Sequence, residues 1–318
     1  MKPKAPRCLS CYQPLSDSAI EYHPSCARKL FGINKAPELD FSLQQIKEIA
    51  SEEVNRRISV PGVLPKLSLE LRKVRAQARL TIVQLWGTHA FKPPTEQYPH
   101  LPENEDVCMH LAEICGFKVA VHGLIRFKTG ELAYITKRFD RAGSERLHQE
   151  DFCQLTETLT ENKYQSSVER IGKAIQRYAT NPGVDCINFY EQVIFSFLIG
   201  NADMHLKNYS LIRTRDGDYT LSPAYDLVAT KLAVPKDLEE SALSIHGKKK
   251  NITRSDLLNF GETLLIPEKV LHTSLEKLLA KLPELCAFVR NSFLPAQQQE
   301  QLIDLMRARG NRLSKTKA

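Results

Sequence analysis

Within nine residues, Gly200-Asn201-Ala202-Asp203-Met204-His205-Leu206-Lys207-Asn208, this chain carries an acid, two amides and two basic side chains. A carboxylate can take or orient the proton of a hydroxyl, and an amide oxygen with a second carboxylate can hold Mg²⁺. Phosphoryl transfer asks for these functions side by side. The second carboxylate is Asp226. The intervening NYSLIRTRDGDYTLSPAYD reads as two alternating strands around Asp216-Gly217, a hairpin signal. A hairpin returns the chain to its start, which brings Asp226 close to Asn208 as a pair of oxygen ligands for Mg²⁺. Taken singly, each Asp is also an ordinary loop-capping residue. Taken together around the hairpin they read as one Mg²⁺-phosphate site.

The Asp203-to-Asn208 spacing is that of the catalytic loop of protein kinases. A nucleotide then needs a cation for its phosphates and backbone that closes over them. Lys92, in His89-Ala90-Phe91-Lys92-Pro93-Pro94 after an apolar strand, is the candidate cation, with Glu105 on the following helix as its anchor. Lysine at a strand edge also serves simply to keep the edge soluble. The segment from Ile58 to Ser68, ISVPGVLPKLS, includes Ser59 and Gly62. It is neither G-x-G-x-x-G nor a P-loop, and by grammar alone it is a turn entering a strand.

Cys8, Cys11, His23 and Cys26 form a C-x2-C-x11-H-x2-C pattern, four ligands suited to one tetrahedral Zn²⁺. Zinc would supply folding energy to a segment too small for its own core. The competing reading is a small packed extension with reduced thiols. The other four cysteines from Cys108 to Cys186, with Cys286, sit in apolar contexts and read as core.

The elements that must position these residues are legible in outline. Apolar spacing with Ser42 as N-cap predicts a helix over 42–57. Between about 58 and 140 short strands dominate (PKLSLEL, ARLTIVQLW, THAFKPP, VAVHGLIRF, LAYITKRF), with the turn Lys128-Thr129-Gly130 and one helix from Pro102 that is acidic in its first turn. From about 150 the pattern is helical apart from 208–226, with strong apolar faces in 187–200 and 254–310. The expected class is α+β: a mainly antiparallel sheet with one helix, then a helical part.

The 318 residues allow about two domains, and no tract is low in complexity. The N-terminal MKPKAPRCLSCYQPL is basic but leads into no apolar stretch, and runs such as VIFSFLIG are too short to span a bilayer. A cytoplasmic, reduced, membrane-free setting is expected. The net charge of +7 favours anionic partners. No helix-turn-helix or basic stripe with interleaved aromatics argues for a direct DNA reader. The basic run His246-Gly247-Lys248-Lys249-Lys250 is either a solvated loop or a phosphate or partner contact.

Several segments together resemble the HipA family of bacterial toxin kinases: ISVPGVLPKLSL, FKPP followed by LPENE, ITKRFDR, HQEDFCQL, GNADMHLKN and LSPAYDLVAT, in family order across roughly 55–250. The resemblance implies a kinase-like two-lobed fold and an ATP-dependent protein serine/threonine kinase, with aminoacyl-tRNA synthetases as known targets of the family. It implies Asp203 as catalytic base, Asn208 and Asp226 as Mg²⁺ ligands, and Lys92 on the ATP phosphates. It gives Lys137 and Phe139 of ITKRFDR the adenine, and His205 and Lys207 contacts to phosphate or substrate. Ser59 matches the family's autophosphorylated serine, whose added negative charge ejects the loop from ATP; the plain reading is a turn hydroxyl. Domains are expected at 1–30 (zinc-binding extension), 31–140 (N-lobe) and 141–318 (helical C-lobe with the catalytic loop). The chain resembles the compact HipT type, which implies separately encoded HipS-like and HipB-like antitoxin partners and contact with DNA only through a partner. The alternatives are a catalytically weak HipA-like scaffold within a DNA-bound repressor complex, and a small-molecule phosphotransferase.

Overall fold

The strands of the first unit are rich in apolar residues, as in LSLELRKV, where leucine recurs at Leu67, Leu69 and Leu71. In the computed structural model, residues 6–17, 20–48, 66–74, 77–83, 87–142 and 145–314 are described, and they form two compact units. The first unit takes in the chain to Asp106 and Ala120–Phe139. The second takes in Val107–Val119 and the chain from Asp140.

The first unit opens with α1 (Pro24–Phe31), which has proline in its first turn and ends at Gly32 in the left-handed region (φ 75°). Then come β1 (Glu38–Leu39), a helical segment at 43–48, β2 (Leu67–Val74), β3 (Gln77–Val83) and β4 (His89–Lys92). Helix α2 (Leu101–Cys115) follows, of which the residues to Asp106 belong to this unit, and β5 (His122–Arg126) and β6 (Leu132–Lys137) complete the sheet. The strand order is β1-β3-β2-β4-β6-β5. All pairs are antiparallel except β1 with β3. The β5–β6 connection turns at Gly130 (φ 108°), where Lys128-Thr129-Gly130 predicted a turn. Phe91, buried on β4, meets Phe41 and Phe127 edge-on at 5.6 and 5.9 Å, closing the core on one face.

In the second unit, β7 (Arg141–Ala142) and β8 (Glu145–Arg146) form a short ribbon, followed by β9 (Gln149–Asp151) and α3 (Phe152–Leu155). Helices α4 (Val168–Tyr178) and α5 (Pro182–Ile199) come next. Ser167 caps α4, which buries Val168, Ile171, Ala174 and Ile175. Helix α5 is apolar nearly all round and runs through the core, as such a helix must. After it come β10 (Ser210–Arg213), β11 (Tyr219–Leu221), α6 (Thr230–Ala233), α7 (Arg254–Thr263), α8 (Glu268–Ala280), α9 (Leu282–Val289) and α10 (Ala296–Leu313). The α+β class read from the sequence is the observed one. The exception to the helical reading beyond 150 is wider than expected, because β9 joins the predicted hairpin in a three-stranded sheet ordered β11-β10-β9. Among the described residues no helix is long and apolar enough to cross a membrane. The five cysteines expected in the core, Cys108, Cys115, Cys153, Cys186 and Cys286, are all buried.

Candidate functional site

The loop that follows α5 is fixed from both ends. Gly200 terminates α5 with φ 78°, a conformation that costs a side-chain-bearing residue about 1 kcal/mol or more. A Cβ there would also lie 2.5 Å from Leu305 Cδ2. The Thr230 hydroxyl donates to Gly200 O at 3.0 Å and accepts from Ala202 N at 2.8 Å, so α6 pins the loop's start. Asn201 Oδ1 accepts from Asp203 N at 3.0 Å. Asn208, in a 3-10 turn at Leu206–Asn208, donates Nδ2 to Asp203 O at 2.9 Å and closes the loop. With its nitrogen used as a donor inside the loop, the Asn208 side chain has its amide oxygen as the ligand atom, and a hard cation such as Mg²⁺ takes oxygen.

The Asp203 carboxylate accepts from the Tyr164 hydroxyl at 2.6 Å. Burial and this carboxylate raise the Tyr164 phenol well above its ordinary range, so Tyr164 stays a donor. The Tyr164 ring meets His205 edge-on at 4.9 Å. Burial holds the His205 imidazole below its usual pKa, while the charges of Asp203 and Asp226 both act on it in the opposite sense. Those two carboxylates therefore share one neighbourhood with the ring. Asp226 itself has φ 55°, rare for a residue with a side chain. The segment before it is tied down by Ala224 N donating to Lys118 O at 2.8 Å and by Tyr225, whose buried hydroxyl donates to Lys207 O at 3.0 Å.

Lys207 points to a partner that sequence reasoning did not single out. Its Nζ lies 2.6 Å from Asp151 Oδ2, while Asp151 Oδ1 caps α3 by accepting from Gln154 N at 3.0 Å. One carboxylate thus anchors both the catalytic-type loop and a helix start. Asp151 lies in HQEDFCQL, quoted above without a role. Tyr164 and Thr230 carried no local signal.

In the first unit, Lys92 ends β4 opposite Tyr134 of β6. Its Nζ reaches both Glu105 oxygens, at 2.7 and 2.8 Å, and lies 5.7 Å from the centre of the Tyr134 ring. The Lys92 side chain is 26% exposed and that of Glu105 only 2%, so the pair joins a water-facing cation to a buried anchor. Lys137 closes β6 and spends its amide on Val121 O at 2.7 Å; Arg138 N donates to Thr88 O at 2.9 Å, and Phe139 follows. Ser59 and Gly62, expected over the phosphates, lie outside the described residues.

The N-terminal pattern does converge: the ligand atoms of Cys8, Cys11, His23 and Cys26 all lie within 4.8 Å of one another. Tetrahedral zinc–thiolate geometry places neighbouring ligands about 3.8 Å apart. His23 Nδ1 is 3.4 Å from Cys11 Sγ, and His23 Nε2 is 3.1 Å from Pro14 O. A carbonyl on the outer nitrogen fixes a ligating tautomer. Backbone amides of Ser10, Cys11 and His23 favour the Cys8 thiolate and take its pKa below the ordinary value despite burial. Burial and the neighbouring sulfurs push Cys26 up to about 12. Three thiols and an imidazole this close suit a cation that neutralises them.

The HipA-like C-terminal domain family model matches residues 58–286. A putative kinase of Haemophilus influenzae is 28% identical over 262 residues, covering 74% of this chain and 75% of that protein. The serine/threonine-protein kinase toxin HipA of Shewanella oneidensis is 31% identical over 268 residues, covering 77% of this chain and 60% of its own length. Two further curated relatives are matched over 48% and 45% of their length. Among solved structures, the Shewanella oneidensis HipA, HipB and operator DNA complex matches with a TM-score of 0.67 at 26% identity, over 82% of this chain and 70% of that one.

Proposed function

The chain belongs to the HipA-like C-terminal domain family, and we propose that it is an ATP-dependent protein serine/threonine kinase of the toxin type. The observation that carries the reading is the closed loop in which Asn208 binds back to Asp203 while Asp226 shares the His205 neighbourhood. In this reading Asp203 accepts the proton of a target serine as its Oγ bonds to the γ-phosphorus; the bond from phosphorus to the bridging oxygen breaks, and ADP leaves with the electron pair. Asn208 Oδ1 and Asp226 hold Mg²⁺, which when bound neutralises phosphate charge. Lys92, held by Glu105, contacts the phosphates. At the adenine, Phe139 and Lys137 offer backbone groups, Lys137 through its carbonyl because its amide is used within the sheet. His205, held neutral at neutral pH, and Lys207, tied to Asp151, shape the loop beside the transferred group. The quartet of Cys8, Cys11, His23 and Cys26 binds Zn²⁺.

The same reading makes Ser59, beside Gly62, an autophosphorylation site that turns the enzyme off. It makes a protein such as an aminoacyl-tRNA synthetase the substrate. A HipB-like antitoxin partner is supported in kind by the HipB and operator DNA in the matched complex, and the same reading adds a separately encoded HipS-like partner. Phosphopeptide mapping after brief expression tests both substrate and Ser59. Sites that appear with the active chain and are absent with Asp203→Ala support the proposal; an unchanged phosphoproteome contradicts it.

A further inference from the structure

Six side chains of the first unit form a circuit that starts beside the cysteine quartet and ends on the Lys92–Glu105 pair. Tyr12 directly follows Cys11. It is fully buried, has φ 61°, and donates its hydroxyl to Asp106 Oδ2 at 2.7 Å. The other Asp106 oxygen lies 2.6 Å from His122 Nδ1. The His122 ring stacks on Tyr134 at 6.0 Å and 26°, and Tyr134 in turn lies under Lys92 Nζ. Lys92 closes the circuit on Glu105, the residue next to Asp106 on α2.

Each link has a physical reason to transmit position. Asp106 is completely buried, and a carboxylate out of water is tolerated only where both oxygens find donors. Its two partners therefore fix the rotation of the first turns of α2, and with it the direction of Glu105. A left-handed tyrosine is not a conformation the chain adopts unaided. The turn that imposes it is held by Tyr12 N donating to Cys8 O at 3.0 Å, between two of the four ligands. The same module covers the open edge of the sheet. Leu124 N donates to Leu9 O at 2.9 Å, the Tyr22 hydroxyl donates to Leu124 O, and Gly123 allows Leu9 O to within 3.3 Å of where a Cβ would be.

We propose that a zinc ion in the Cys8, Cys11, His23 and Cys26 quartet sets Tyr12 against Asp106, and that Tyr12 and Asp106 are positioning residues for Glu105 and Lys92. Metal occupancy then controls how well the chain holds ATP. This rests on the reading of Lys92 as the phosphate contact and of the quartet as a zinc site. Removing the Tyr12 hydroxyl removes a hydrogen bond to a buried charge, and the loss reaching Lys92 is expected to weaken ATP binding about threefold to tenfold.

The test uses the full chain with three readouts: zinc content, ATP affinity in Mg²⁺, and amide hydrogen exchange across Leu101–Cys115. The states compared are wild type, wild type stripped by a thiophilic chelator that leaves Mg²⁺, Tyr12→Phe, and Asp106→Asn against Asp106→Leu. One zinc per chain is expected in wild type. Stripping should weaken ATP binding about tenfold and speed exchange in α2. Tyr12→Phe should keep its zinc, speed exchange in α2 and raise the KM for ATP with kcat at saturation little changed. Asp106→Asn should retain part of what Asp106→Leu loses. A chain without zinc overturns the metal half. Zinc present, with exchange and affinity unmoved by stripping and by Tyr12→Phe, overturns the coupling. Should wild type fail to bind ATP, the phosphate reading falls, and the exchange response of α2 alone decides the coupling.

Discussion

Replacing Lys92 by methionine leaves the Glu105 carboxylate, 2% exposed, without the ammonium that now touches both of its oxygens. Removing one partner of a buried ion pair costs about 3–5 kcal/mol, chiefly because the other charge stays buried. Since a quarter of the Lys92 side chain reaches water, the lower end applies, about 3 kcal/mol. Losing that ammonium raises the folded-state pKa of Glu105 relative to wild type. The penalty is full at neutral pH and shrinks as pH falls and the acid protonates. Glu105→Leu leaves the more exposed partner, whose ammonium can turn toward water, and should cost about 1 kcal/mol. The double variant Lys92→Met/Glu105→Leu removes both charges and should return to within about 1 kcal/mol of wild type. Guanidinium unfolding of the four proteins gives the coupling energy, and a parallel ATP titration separates stability from binding, which Lys92→Met and the double variant should lose. Additive single effects, with coupling below about 0.5 kcal/mol, would refute the buried-anchor account; wild-type ATP affinity in the stable double variant would refute the phosphate role of Lys92.

Other expectations follow from the second unit and from β4. Asp203→Ala should lower phosphotransfer about 10²–10⁴-fold while leaving ATP affinity near wild type; a loss of ATP binding of equal size would show a different role. Tyr164→Phe frees the Asp203 oxygen that now accepts its hydroxyl, so transfer to protein should rise by up to about tenfold, and a fall in the same assay would mean that Tyr164 orients Asp203 instead. Gly200→Ala forces a Cβ into the left-handed region and onto Leu305, and should lower unfolding free energy by about 1–3 kcal/mol. Burial lowers the His89 pKa, its ring being bound to Leu30 O at 3.0 Å. The unfolded chain therefore binds more protons once pH drops toward about 6.5. Stability should be complete above that pH and decline below it, and His89→Gln should flatten the slope in urea midpoints taken between about pH 7.5 and 5.5.

The parts of the candidate site that were readable from sequence are those that depend on short-range chemistry. Asp216-Gly217 specified the hairpin, and its register, Arg213 opposite Tyr219, brings the chain back toward the loop it left. Gly200 at the end of an apolar helix marked where the loop begins. Long-range pairing was not readable. Gln149–Asp151 is polar throughout and half-buried, so it shows no alternation to announce a strand, and Asp151 as the partner of Lys207 went unseen with it. The acids opening α2 looked like residues that favour a helix N-terminus. Instead Glu103, Glu105 and Asp106 are all buried, two of them answered by Lys92, Tyr12 and His122 from distant segments. The convergence of Cys8, Cys11, His23 and Cys26 was legible in their spacing, but what the quartet is tied to depends on Tyr12, which carries no motif.

The most direct test of the central claim is transfer of labelled γ-phosphate from ATP to protein by the purified chain with Mg²⁺ and a cell lysate, run beside Asp203→Ala. A labelled protein band present with the wild-type chain and lost with Asp203→Ala is the predicted result. Label that persists undiminished in Asp203→Ala, or that appears on small molecules alone, would contradict it.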